Sequence, residues 1–345
     1  MDFAFSEEQD ALRASARDYL ADRFPLDRVV QLADSDAGWD PATWRELANM
    51  GWLDADPGSG LGVLEHAVLA EETGFGLLPA PLFSTLALAG PFLDDELRGA
   101  VASGERSATL ASAGDVSVSG ERLSGTRRLV PDLTSVTDVV VPTADGVFAV
   151  DLTAHADAVV ARSTMDRTRR LGELRLDNTP ARRLDVSIDA LTDVRRRSLA
   201  WASCEAVGVA QRALDLAADY TKTRQQFGRV IGTYQGVSHR VSNIFVSLQL
   251  GRSLAYWAAW AVAEGDAQQD VAVAAAKSAA SEGAVSACEN AIQAHGGIGF
   301  TWEHVLHRFY KRAQWLEAFE GFGRVHRARI AAAILDDSQD GEAAA

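Results

Sequence analysis

Apolar positions across residues 1–95 recur at the three-and-four spacing of helices that bury one face. Ser6 ahead of Glu7, Glu8 and Gln9 reads as an N-cap with an acidic first turn, and Phe5, Leu12, Ala16, Tyr19 and Leu20 form the stripe that follows. Asp40-Pro41 opens a second helix with proline in its first position, its stripe being Trp44, Leu47 and Ala48 and its end Gly51. A third helix is expected over 61–74 with Leu64, Val68 and Leu69 inward. Pro79 and Pro81 break the chain before a fourth at 84–93. All of these positions read as core.

Near Gly104 the period changes. Val136 to Val141 and Val147 to Val150 are β-branched runs around Asp145-Gly146, a hairpin signal, and short strands continue through Arg175-Leu176-Asp177 and Asp185 to Ile188. The basic cluster Arg167, Arg169 and Arg170 reads either as a phosphate contact or as a solvated strand edge or interface. From Asp189 the helical period returns over 190–222, 233–264, 268–294 and 301–335, which predicts an antiparallel four-helix bundle. Ala-rich runs such as Val271 to Ala280 allow close helix approach, and Trp257, Trp260 and Trp315 read as core or subunit-interface filler. The predicted fold class is therefore α+β, mainly α. An N-terminal helical domain (1–98) is followed by a small middle β domain (99–188), a C-terminal four-helix bundle (189–335) and a disordered tail (336–345).

Composition narrows the function classes. The 345 residues are 47% hydrophobic and 23% charged, which is globular, and a net charge of −15 argues against nucleic acid or an anionic membrane as main partner. Two cysteines, Cys204 and Cys288, fit a reducing compartment and have no metal-ligand spacing, so no metal is expected. No basic region precedes an apolar run at the start, and no apolar stretch reaches spanning length, so a cytoplasmic location is expected.

The candidate chemistry lies in Tyr220 to Gln235, YTKTRQQFGRVIGTYQ, and Gln293 to Gly299, QAHGGIG. Both place glycines (Gly228, Gly232, Gly296, Gly297, Gly299) in regions that otherwise read as helical, where each glycine costs about 1 kcal/mol. Glycine lets a backbone approach a bulky group, and the Arg224 fork suits a phosphate or pyrophosphate. From the residues alone, two glycine-capped helix ends and a solvated arginine account for the same pattern.

RxxFGxxIxxxQ followed by QxxGGxG, ahead of a C-terminal helix, resembles the acyl-CoA dehydrogenase family. The resemblance extends to the opening MDFAFSEEQDALRASARDYL and to the order helical, β, four-helix bundle. It implies α,β-dehydrogenation of an acyl-CoA thioester, with a Glu taking the α proton and the flavin of FAD accepting the β hydride. It also implies FAD at a subunit interface. Arg224, Phe227, Gln235, Gln293, Gly296 and Gly297 would then hold the adenosine pyrophosphate of a neighbouring subunit's cofactor. Electron-transfer flavoprotein is the implied acceptor.

Relatives carry the base in a segment like YRDAxIxxIYEGT. Here Tyr310-Lys311-Arg312-Ala313 and Phe319-Glu320-Gly321 keep that spacing, which makes Glu320 the candidate base or, alternatively, a surface ion-pair partner. The continuation Gly323-Arg324-Val325-His326-Arg327 departs from the family's TSEIQR. The other family position for a base falls near Ser198, with Glu205 seven residues on a poor substitute. The TEPxxGSD-like segment that contacts the flavin ring corresponds to Ala108 to Gly120, which lacks the motif, and the loop after Gly51-Trp52-Leu53 lacks the PEExGG run. The pattern is similar to the short subunit of actinobacterial α2β2 acyl-CoA dehydrogenases, which often act on steroid side-chain thioesters, and the residues leave a steroid side chain and a fatty acyl chain both open as the acyl group. In those enzymes a longer subunit supplies base and flavin pocket. Competing readings are a self-sufficient homo-oligomer using Glu320, a non-enzymatic scaffolding subunit, and a flavin monooxygenase or nitroalkane oxidase on the same fold.

Overall fold

The computed structural model describes residues 5–54 and 61–342, with side chains described as far as 335. Helix α1 (Glu7–Arg23) starts where the sequence places it: the Ser6 hydroxyl accepts from the Gln9 N–H, and the Gln9 side chain accepts from the Ser6 N–H. This reciprocal pair satisfies two of the helix's orphan donors. Helix α2 (Leu26–Asp34) is an addition to the helices read from periodicity, and α3 (Ala42–Asn49) follows, with Pro41 one residue before its first turn rather than in it. Helix α4 (Val63–Gly76) matches the expected third helix.

The fourth expected helix, at 84–93, is instead a π-helical turn (Ser84–Ala89) running into a 3-10 turn (Gly90–Phe92). Pro91 has no N–H to continue an α ladder, and the Ser84 and Thr85 hydroxyls donate outward to Asp132 Oδ2 and the Ala108 carbonyl. Helix α5 (Asp95–Ala102), capped by Asp94 Oδ1 on the Leu97 N–H at 3.0 Å, closes the helical region.

The β region holds two four-stranded sheets. One has the order β1 (Ala108–Leu110), β4 (Asp138–Thr143), β5 (Gly146–Asp151), β8 (Arg182–Leu184); the other is β2 (Val116–Val118), β3 (Arg122–Pro131), β7 (Leu171–Pro180), β6 (Val159–Arg162). The expected hairpin is β4–β5, in register from Asp138–Asp151 to Thr143–Gly146. Leu123, Val130, Val139, Val141, Phe148 and Leu174 form the core between them. The basic cluster is spent on the protein's own groups. Arg167 pairs with Asp34 at 3.1 Å, buried Arg169 stacks on Phe83 at 4.6 Å, and Arg170 donates to the Ser35 and Asp36 carbonyls.

The C-terminal region is α6 (Ala190–Thr223), a short hairpin β9 (Gln225–Gln226) and β10 (Arg229–Val230), then α7 (Gln235–Ala263), α8 (Gln269–His295), α9 (Leu306–Ala318) and α10 (Gly323–Glu342). The segment expected as one helix over 301–335 is therefore two. It breaks where Glu320 and Gly321 take φ of 54° and 102°. The tail expected from 336 falls on the end of α10 and, from 343, outside the described residues.

The chain packs as two compact units, one of Met1–Asp27, Val63–Leu78 and Leu199–Ala345, the other of Arg28–Gly62 and Pro79–Ser198. Within the first, α4 and α6 touch backbone to backbone, because a Cβ on Gly208 would collide with the Glu71 carbonyl oxygen and one on Gly74 with that of Glu205. The Ala-rich face of α8 does the same for α7: a Cβ on Gly251 would lie 3.2 Å from the Ala280 backbone.

Candidate functional site

The motif residues sit at helix ends, not in helix interiors. At the end of α6 the Arg224 N–H donates to the Tyr220 carbonyl at 2.9 Å, and the Ile231 N–H returns to the Arg224 carbonyl at 2.8 Å, folding 224–231 into the β9–β10 hairpin. Its two-residue turn is Phe227-Gly228, with φ of 52° and 79°. Both values are positive, as the twist of a two-residue hairpin prefers, but phenylalanine is an uncommon occupant of the first. Phe227 is held there with 92% of its surface exposed. Tyr234 pins the hairpin, its hydroxyl donating to the Gln226 carbonyl at 3.1 Å while the Arg229 guanidinium lies 3.9 Å from its ring centre.

At the end of α8, His295 Nδ1 bonds the Ala291 carbonyl at 2.8 Å and the imidazole stacks on Tyr220, centroids 4.3 Å apart and planes 22° apart. The His304 ring lies 4.4 Å from that of His295. Tyr220 is one turn before Arg224 and His295 immediately precedes Gly296, so the stack sets the two motif-bearing helix ends side by side. Burial, and for His304 the adjacent His295, lowers both histidine pKa values, which keeps the stack uncharged near neutral pH.

The three glycines of the second motif do different things. Gly296 has φ 65° and ψ −138°, a backbone state that costs a side chain about 1–3 kcal/mol. Gly297 faces open space, and Gly299 is packed, since a Cβ there would lie 2.6 Å from the Ile292 carbonyl oxygen. Arg224, Gln235 and Gln293 are exposed, and the Arg224 side chain has no hydrogen bond or ion pair among the described residues. Ile298, Phe300 and Trp302, exposed by 38%, 74% and 78%, continue the apolar surface beyond the glycines. Periodicity could not mark these as outward, because apolar residues in a helical region read as core. The Gly296 N–H is taken by the Gln293 carbonyl, so what the two motifs offer outward is the Arg224 fork and the uncrowded Gly297 backbone, and a guanidinium fork is suited to a diphosphate arriving from outside the chain.

Glu320 is elsewhere. It is exposed, at the C-terminal end of α9, and the turn that carries it is held by fully buried Lys277, whose Nζ donates to the Glu317 and Gly321 carbonyls at 3.1 and 3.2 Å. Lys277 and Gln293 are sixteen positions apart on α8, roughly 24 Å at 1.5 Å per residue. The structure therefore places Glu320 and the glycine motif toward opposite ends of one helix. Glu205 is fully buried and accepts from Arg312, itself 1% exposed, so its carboxylate is committed to a structural pair. Ser198 is buried with its hydroxyl on the Arg195 carbonyl. In the 108–120 segment, the buried Arg127 guanidinium binds the carbonyls of Ser112, Gly114 and Pro142 and fixes the turn between β1 and β2. Residues 55–60, which cover most of the loop after Leu53, lie outside the described residues.

Among the described residues there is no cluster of three metal-ligating side chains, and no helix is long and apolar enough to cross a membrane. Both cysteines are buried, and burial raises their pKa values.

Comparison with known proteins gives two family matches: the acyl-CoA dehydrogenase N-terminal domain over residues 6–93 and the C-terminal domain over residues 192–335. Acyl-CoA dehydrogenase IpdE2 of Mycobacterium tuberculosis is 31% identical over 320 residues, 89% of this chain and 91% of that one. A chain of the ChsE4-ChsE5 complex from Mycobacterium tuberculosis superposes with a TM-score of 0.87 at 26% identity, covering 97% of this chain and 99% of that one. A Tcur3481-Tcur3483 steroid ACAD variant gives 0.84 at 29%, covering 96% and 99%.

Proposed function

The chain belongs to the acyl-CoA dehydrogenase family, whose members are FAD-dependent oxidoreductases acting on acyl-CoA, and from that premise we propose that it is the short subunit of a heteromeric member of the family. When bound, FAD supplies the acceptor for the hydride lost from the acyl β carbon. The part of this chain is to bind and orient. Arg224 would offer its fork to the diphosphate. Gly296 and Gly297, which carry no side chain, would let the backbone come close to the same group, and Phe227, Gln235 and Gln293 would border it. The partner subunit provides the base and the flavin-ring pocket, and electron-transfer flavoprotein takes the electrons.

One observation carries this reading: every residue of the two motifs that is suited to an anion points out of the chain, and the strained Phe227 tip points out with them. A site complete within one chain would turn such residues inward. The exposed Ile298, Phe300 and Trp302 beside the glycines supply the apolar surface a partner would cover. The pairing of two names in ChsE4-ChsE5 and in Tcur3481-Tcur3483 supports a heteromer. That the second is a steroid ACAD supports a steroid side-chain thioester as substrate class.

The test is co-expression with a full-length acyl-CoA dehydrogenase subunit carrying an intact flavin-ring motif. The purified complex is expected to show a flavin spectrum that the chain alone lacks, and to retain less flavin with Arg224→Ala. One FAD per chain in the isolated protein, reduced by an acyl-CoA, would overturn the proposal.

A further inference from the structure

The unit containing α1, α4, α6 and α7 holds a half-buried ionic cluster in which four guanidinium groups face two buried carboxylates, Glu71 and Glu72. Glu71 accepts from Arg252 at 2.7 and 3.1 Å and from the Tyr256 hydroxyl at 2.7 Å. Glu72 accepts from Arg17 Nη2 at 3.0 Å and lies 3.8 Å from Arg13. A fourth guanidinium, Arg212, has no such carboxylate. Its Nε is buried without a hydrogen-bond partner among the described residues. The nearest acids, Asp215 and Asp219, act on it only through space, and Asp215 instead accepts from Gln211 at 2.7 Å. Burial, with Arg17 close by, lowers the Arg212 pKa, which is the direction expected of a cation short of a counter-ion.

Arg212 opens onto a cavity of about 350 Å³ lined also by Arg17, Phe75, Leu20, Phe24 and Leu26, within the size range of small-molecule sites. The Phe75 ring lies 3.7 Å from Arg17 Cζ and 4.9 Å from Arg212 Cζ, so one aromatic face system steadies both cations. The lining thus combines two guanidinium groups with apolar side chains from α1, α2 and α4. Asp27, which also lines it, disfavours a ligand of high negative charge.

We propose that this cavity is a binding site for a small monocarboxylate with an apolar body, its head on the Arg212 and Arg17 guanidinium groups and its tail on Leu20, Phe24 and Leu26. The carboxylate matches the guanidinium fork in shape and supplies an anion to the one guanidinium of the cluster that lacks a paired carboxylate. The site is separate from the diphosphate-binding motifs and does not depend on the subunit arrangement proposed above.

Octanoate is the probe, titrated into the full chain by calorimetry against octanol and inorganic phosphate. Saturable octanoate binding is expected, with octanol and phosphate each weaker by about tenfold or more, and a comparable loss in Arg212→Gln, as follows from removing a charge-assisted contact. In a second measurement on the wild-type chain, a photoreactive octanoate analogue is expected to label peptides containing Leu20–Leu26 or Phe75. Absent binding, equal affinity for octanol or phosphate, unchanged affinity in Arg212→Gln, or labelling confined to other peptides would each overturn the proposal.

Discussion

Replacing Arg312 by Met leaves the Glu205 carboxylate in the interior of the bundle without its guanidinium. In the wild-type chain Glu205 is 0% and Arg312 1% exposed, so neither can turn to water. Glu205 is further confined because α4 crosses at its backbone, where Gly74 has no room for a Cβ. Breaking such a pair from one side costs about 3–5 kcal/mol, because a charge is left desolvated and uncompensated. For a domain of this size each kcal/mol is worth about 2–4 °C, so the melting temperature should fall by about 6–20 °C. The double variant Glu205→Leu/Arg312→Met removes both charges and should recover most of that loss. Urea titration of the three proteins, read by circular dichroism with m-values compared, is the assay. A single variant within about 1 kcal/mol of wild type would refute the argument, as would a double variant no better than the single. The same experiment tests whether Glu205 serves only the fold: in a reconstituted complex the double variant should retain turnover at a temperature where it is folded.

Four further outcomes are expected. Arg224→Ala should leave the chain's own melting temperature unchanged and weaken FAD retention in the complex by about tenfold or more, the worth of a hydrogen bond to a charged group, measured by ultrafiltration of bound flavin. Glu320→Gln should leave turnover of the complex unaltered; loss of turnover would restore it as the base. Gly296→Val should reduce FAD content as well as stability, by about 1–3 kcal/mol, since valine disfavours φ 65° whatever space surrounds it. Lys277, whose pKa burial lowers to about 8, gives a pH signature. Between about 8 and its unfolded value near 10.4 the unfolded chain holds more protons, so this group makes stability rise with pH through that window. Lys277→Met should flatten the rise by up to about 3 kcal/mol, seen in urea midpoints from about pH 7.5 to 10.5.

The sequence by itself determined the architecture: apolar period three-to-four, then two, then three-to-four again, with Ser6, Asp145-Gly146 and the glycines marking boundaries. It determined the family too, through residues whose order along the chain is the signal. The failures have identifiable causes. Pro91 and the hydroxyls of Ser84 and Thr85 diverted a helical pattern into π and 3-10 turns, and a positive φ at Glu320 and Gly321 cut one long helix in two. Only the tertiary structure decided what each charged residue is for. The sequence offers thirty-three cations, and nothing in their spacing tells Arg170, spent on the carbonyls of Ser35 and Asp36, from Arg224, which has no partner within the described residues. Nor does spacing tell buried Glu205 from exposed Glu320, or buried Phe148 from exposed Phe227. Periodicity reports which face of an element is apolar, but burial, pairing and exposure arise from segments far apart in the chain, and those are fixed only when the elements pack.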